Sequence, residues 1–178
     1  APNLDVPLTI VLTAAPPRTW TTGVGYATDT GVKFRLGFLH QRLNDKGHQL
    51  EFDSSFSEVL GDATLSYRLP SGRPRDEWLS VDTGYKYENT EDSRSTEFRL
   101  GMKQVKRRRG DWRETRFVDY VLESFTVAGV PGNSSLVLPG ISWADQPLLL
   151  PNRPRRAHRL SFTVRGTDQI LGSDTAFL

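Results

Sequence analysis

The stretch Val32-Lys33-Phe34-Arg35-Leu36-Gly37-Phe38 puts an apolar side chain at every second position. Gln49-Leu50-Glu51-Phe52-Asp53-Ser54-Ser55-Phe56 repeats the pattern with acids in between. A period of two marks a strand whose successive side chains face opposite sides. Working outward, the same alternation returns at Leu65, Tyr67 and Leu69, at Leu79, Val81, Tyr85 and Tyr87, and at Phe98, Leu100 and Met102. It continues through Val118, Tyr120 and Leu122 and closes with Leu160, Phe162 and Val164. Between these runs lie turn signals: Asp29-Thr30-Gly31, Asn44 to Gly47, Gly61-Asp62, Ser71-Gly72, Asn89 to Ser93, Gly110-Asp111 and Pro131-Gly132-Asn133. Gly, Asn, Asp and Pro punctuate a chain in this way because they accept the backbone angles that turns need. The spacing therefore predicts consecutive antiparallel hairpins. No stretch sustains a helical period.

The chain has 178 residues, with 23 Lys+Arg against 21 Asp+Glu and a formal charge of +2. That balance excludes a polybasic tail or an acidic disordered segment. Its 37% hydrophobic and 10% aromatic content, with 15 Gly and 11 Pro, suits one β-rich domain. No apolar run approaches the roughly 20 residues of a spanning helix. Membrane-crossing strands are still open, because alternating segments carry little net hydropathy. With no Cys, a disulfide framework, a thiol nucleophile and Cys-ligated zinc are excluded. The sequence opens Ala1-Pro2-Asn3 without a charged and then apolar leader, so the expectation is a removed signal peptide or a fragment. Leu8, Ile10 and Leu12 form a separate alternating run before Ala14-Ala15-Pro16-Pro17, which places a domain boundary near Pro17.

Alternation alone does not separate a soluble sandwich from a membrane barrel, since both have one apolar and one polar face. Three features favour the barrel. The strands run about nine to twelve residues, close to what a tilted strand needs to cross hydrocarbon. Their polar faces carry charges of both signs mid-strand: Arg35, Glu51, Asp53, Arg68, Asp82, Glu97 and Arg99. Trp20, Tyr26, Trp78, Tyr87, Trp112 and Trp143 sit near strand ends, as interfacial girdles would. The turns also alternate in charge. Asp29, then Glu58 and Asp62, then Glu88, Glu91 and Asp92, then the neutral Gly129 to Ser134 occupy the odd turns. Arg42 and Lys46, then Arg73 and Arg75, then Lys106, Arg107, Arg108 and Arg109, then Arg153, Arg155 and Arg156 occupy the even ones. Successive hairpin turns lie at opposite ends of a sheet, so a basic rim is expected at one end, suited to anionic headgroups or an acidic partner.

Trp20-Thr21-Thr22-Gly23-Val24-Gly25-Tyr26-Ala27-Thr28-Asp29-Thr30-Gly31 resembles the first barrel strand and turn of the BamA and TamA superfamily of outer-membrane assembly barrels, the bacterial surface antigen family, and most closely the TamA branch. Gly47-His48 to Leu69 resembles the next hairpin, Ser142-Trp143 to Phe162 resembles the eighth strand, long turn and ninth strand, and Leu171-Gly172-Ser173-Asp174 resembles the start of the following loop. The resemblance implies an all-β fold, an antiparallel transmembrane β-barrel of which this chain is roughly the first half of sixteen strands. Residues 1–17 would then end a periplasmic POTRA domain and linker, 18–178 would form the N-terminal half of the barrel, and the basic rim of Arg73, Arg75, Lys106 to Arg109, Arg153, Arg155 and Arg156 would be the periplasmic one. It departs from the family at two places. Val164-Arg165-Gly166-Thr167 mimics the family's Arg-Gly-aromatic loop but falls in the wrong strand, and Pro151-Asn152-Arg153-Pro154 replaces the usual Pro-x-x-Gly.

The family role implied is non-enzymatic. A weak lateral seam in the first strand, at Thr21, Thr22, Gly23, Val24, Gly25 and Tyr26, opens to aid insertion or export of β-barrel and autotransporter proteins. The partners implied are the outer-membrane bilayer and unfolded outer-membrane or autotransporter substrates, with room for an inner-membrane-anchored TamB-like protein. Gly23 and Gly25 fit a seam, since glycine weakens a strand; they fit equally well as space for a bulky neighbour. A passive or secretion pore and a soluble β-sandwich binding domain are the rival readings. No cofactor or metal is expected, because His40, His48 and His158 lack ligand spacing. Glu51 and Asp53 share a strand face, which a charged lumen explains as well as acid–base pairing does. Lys106 to Arg109 lacks the stacking aromatics of a nucleic-acid site.

Overall fold

The computed structural model describes residues 16–72, 76–90, 93–110, 112–145, 160–168 and 173–174. Nine strands follow in chain order: β1 (Arg18–Ala27), β2 (Gly31–His40), β3 (Gln49–Phe56), β4 (Leu60–Pro70), β5 (Trp78–Asn89), β6 (Ser93–Arg107), β7 (Trp112–Val127), β8 (Val130–Asp145) and β9 (Ser161–Arg165). Each pairs antiparallel with the next, in the order β1-β2-β3-β4-β5-β6-β7-β8-β9. The expected strand before Pro17 and the POTRA assignment lie outside the described residues.

The register decides which residues share a face. Trp20, Phe38, Phe52, Leu65, Thr83, Leu100, Tyr120 and Val137 form one row across eight strands. The adjacent row on the other face reads Thr21, Gly37, Asp53, Thr64, Gly84, Arg99, Val121 and Leu136. One face is thus apolar and the other mostly polar. Among the described residues no second layer covers the apolar face: Phe34 is 57% exposed, Leu100 46%, Val81 40% and Leu65 39%. Among the described residues only Val105 and Val121 are buried hydrophobic residues. An apolar face of this extent along one antiparallel sheet is what a membrane barrel turns to hydrocarbon.

The polar face is held by charge and hydroxyl contacts between strands. Asp82 of β5 accepts from Ser66 of β4 at 2.5 Å and from Ser80 at 3.1 Å. It also pairs with Lys103 of β6 at 3.1 Å. Arg35 and Asp53 bridge β2 and β3 at 3.0 Å.

Three sequence expectations change. Gly61-Asp62 is not a turn: both residues lie in β4, opposite Tyr87 and Lys86. Pro131-Gly132-Asn133 is not a turn either. The loop there is Ala128-Gly129, with φ of 50° and 81°, between the paired Val127 and Val130. Two positive φ values in a two-residue loop give the hairpin geometry that matches strand twist, so β7 and β8 run on to their full length. Trp78 lies on the polar face with Val105 and Thr115, where the guanidiniums of Arg68 and Arg113 stand 5.0 and 5.5 Å from its ring centre. The other girdle aromatics keep to the apolar face.

β9 is short for a local reason. It pairs with Gly140 to Ala144, and the next residue of β8 on that edge is Pro139, which has no N–H to offer. Gly166 N donates to Pro139 O at 3.3 Å, and regular pairing stops. Beyond it, side chains cap the edge. Val137 N donates to Ser173 Oγ at 2.8 Å and Ser135 N to Asp174 Oδ2 at 2.5 Å. Asp174 N returns a bond to Ser135 O at 2.9 Å. Thr167 Oγ1 in turn donates to Ser173 Oγ.

Candidate functional site

Two places carry the residues singled out in the sequence: the edge strand β1 and the rim at the β6–β7 turn.

Thr21 to Tyr26 lie in β1, each paired only with β2: Gly23 opposite Arg35, Val24 opposite Phe34, Gly25 opposite Lys33 and Tyr26 opposite Val32. All ten residues of the strand are exposed. Among the described residues nothing pairs with its outer edge. A Cβ placed on Gly23 would come no closer than 3.8 Å to a neighbour, the Cβ of Arg35, and on Gly25 it would meet nothing within 4 Å. No bulky side chain lies over either glycine among the described residues. Elsewhere in the sheet glycine does make room for a ring. The Tyr87 ring covers Gly61, the Phe125 ring covers Gly132 and the Phe117 ring covers Gly140, each from the directly paired position.

The missing side chains leave a groove of about 410 Å³ on the polar face, lined by Gly23, Gly25, Lys33, Arg35, Asp53 and Asp62. Charges of both signs line it. Asp53 is engaged by Arg35, and Glu51, on the same face, is exposed. His48 Nδ1 lies 2.5 Å from Tyr67 Oη. Among the described residues no group of His, Asp and Glu is arranged to hold a metal ion; His158 lies outside them.

The basic rim proves less uniform than the turn composition implies. Arg107 points to the polar face, where its Nη1 reaches Asp76 of the β4–β5 turn at 3.1 Å. Arg108 turns to the apolar face. There its Nε and Nη2 grip Glu114 at 3.0 and 2.7 Å. Arg116 Nε adds a bond to Glu114 at 2.8 Å and Trp143 Nε1 one at 3.2 Å. Arg109 is exposed in the turn, and Lys106 sits opposite Glu114 in register. Arg73, Arg75, Arg153, Arg155 and Arg156 lie outside the described residues.

Glu114 is the residue sequence reasoning missed. It is 7% exposed and lies near the rim end of β7, two residues after Trp112. Hydrogen bonds from Arg108, Trp143 and Arg116 hold its carboxylate in place, and the one from Arg108 pushes that guanidinium up. Only the register, which sets Glu114 between Lys106 and Trp143, reveals this hub. The alternating charges of Arg113-Glu114-Thr115-Arg116 were the available hint.

No protein-family model matches the chain. Its fold is similar to that of BamA from Haemophilus ducreyi lacking POTRA domains 1–3, with a TM-score of 0.69 and 13% sequence identity. The similarity covers 89% of this chain and 35% of that one, so the chain spans about a third of that structure's length. Hairpins in strict sequence order, one apolar face and this likeness agree on the fold: an all-β antiparallel sheet like that of the BamA barrel.

Proposed function

We propose that the chain belongs to a non-enzymatic outer-membrane assembly barrel of the TamA type, which aids insertion or export of β-barrel and autotransporter proteins. The observation that carries this reading is the likeness of the sheet to a BamA barrel, with β1 first in the strand order and Gly23 and Gly25 giving that strand little side-chain contact with β2. An edge strand offers a row of N–H and C=O groups that another chain can pair with. Hydrocarbon does not hydrate such groups, so an unpaired edge in the membrane favours capture of an incoming strand. The seam at Thr21 to Tyr26 opens, local thinning of the bilayer lowers the barrier to insertion, and a substrate strand adds to β1. The outer membrane, unfolded β-rich substrates and an inner-membrane-anchored TamB-like protein are the partners in this scheme.

The test is a disulfide between Gly23→Cys and the closing strand of the full-length protein. The expected result is loss of substrate assembly, restored on reduction. Unaltered assembly with the seam locked removes the gate. A passive or secretion pore is the second reading, favoured by the charged polar face around Arg35, Asp53, Asp82 and Lys103. It calls for steady ion conductance that the same disulfide leaves unchanged.

A further inference from the structure

At the basic end of β6, β7 and β8 the apolar face changes character within two rows. The row of Met102, Val118 and Pro139 is followed by Gln104, Arg116 and Ile141, and then by Lys106, Glu114, Trp143 and Phe162. Rows on one face are about 7 Å apart along a strand, so these cations stand within one or two rows of side chains that meet hydrocarbon. Their geometry is fixed from below. Glu114 takes Nε of both Arg108 and Arg116, yet the two arginine side chains stay 48% and 58% exposed. Arg116 gives Glu114 only Nε, which leaves the rest of its guanidinium fork for another acceptor. Trp143 is tied to the same carboxylate, at the depth where an indole favours the membrane interface. Asp145, a further acid on this face, has a partner of its own.

We infer that this end of the apolar face is a binding site for the phosphodiester headgroup of an anionic phospholipid, held by Arg108, Arg116 and Lys106 with its acyl chains along Val118 and Tyr120. Arg108 and Arg116, oriented by Glu114, and Lys106 in register beside it present positive charge for a phosphate. Guanidiniums already oriented by Glu114 lose little freedom when they bind it. Free phosphate or an acidic peptide would use only the charged part. A lipid also uses the neighbouring surface, where Met102 is 49% exposed, Tyr120 38% and Val118 37%. The inference requires only that the apolar face meets lipid and does not depend on the assembly role.

The test uses the full-length protein in phosphatidylcholine vesicles containing a trace of spin-labelled phosphatidylglycerol or spin-labelled phosphatidylcholine. The fraction of label immobilised at the protein is read by electron paramagnetic resonance. The wild type is expected to hold phosphatidylglycerol several-fold more strongly. Arg116→Gln combined with Lys106→Gln should bring the ratio close to one, while Arg99→Gln on the polar face leaves it unchanged. Lys106→Gln alone breaks no bond to Glu114, so it lowers the ratio in part even where the double variant fails to fold. Equal immobilisation of both lipids by the wild type overturns the site, as does an unchanged ratio in the variants. Abolition of the preference by excess inorganic phosphate would reassign it to a free anion. Assembly activity does not enter the readout, so failure here and failure of the gate are distinguishable.

Discussion

β1 and β8 use glycine in opposite ways. In β8, Gly132 and Gly140 lie beneath the rings of Phe125 and Phe117, and an added Cβ would collide with them. In β1, Gly23 and Gly25 have no close neighbour among the described residues. Beyond β9, the edge of β8 is capped by Ser173 and Asp174. A glycine under an aromatic ring tightens a strand pair by letting the ring lie flat on the backbone. A glycine with nothing over it only adds freedom to the unfolded chain and removes cross-strand contact. One residue type therefore serves close packing in one strand and sparse side-chain contact in the other.

The sharpest way to break that contrast is a matched pair of substitutions in the full-length protein. Gly140→Val should cost about 1–3 kcal/mol through overpacking against Phe117. Gly25→Val should be neutral or stabilise by up to about 1 kcal/mol. Urea unfolding in lipid or detergent measures both, and similar losses at the two sites would erase the distinction.

The capped edge comes next. Ser173→Ala leaves the Val137 N–H without its acceptor, at a cost of about 1–2 kcal/mol, and amide exchange should quicken at Val137 and Ser135 more than at β1. Protection unchanged at both would show that the cap does not hold the edge.

A smaller effect is expected at the rim. Glu114→Gln removes the charge from the acceptor shared by Arg108 and Arg116 and should cost about 1 kcal/mol, and unchanged stability to urea would remove Glu114 as the rim's anchor. The smallest effect is expected at the β7–β8 turn. Ala128→Gly relieves a positive φ and should gain a few tenths of a kcal/mol, up to about 1, by the same urea assay.

The strands and their apolar faces were legible because a period of two survives every local exception. Positions such as Phe34, Leu65 and Leu100 fell where alternation put them. What composition hid was which turn signals act as turns. Pro131, Gly132 and Asn133 look like a loop, yet Phe125 needs a glycine opposite it, and Ala128-Gly129 supplies the tight reversal instead. Gly61 reads as a turn for the same reason and serves as the floor beneath Tyr87. Trp78 looked like a girdle residue because position along a strand is visible in sequence, whereas the face it occupies depends on its neighbours' register. Glu114 was illegible in the same way. Its partners come from a turn, its own strand and the next strand, and no spacing rule joins them.

Pro139 has a further consequence for how β9 finds its place. Sliding β9 by two residues along β8 would preserve which side chains face which way, so patterning alone does not forbid the slip. It would, however, set a carbonyl of β9 against a residue with no hydrogen to give, in surroundings with no water to substitute. A missing donor thus acts as a stop on the ratchet, and the strand is aligned by what its neighbour lacks.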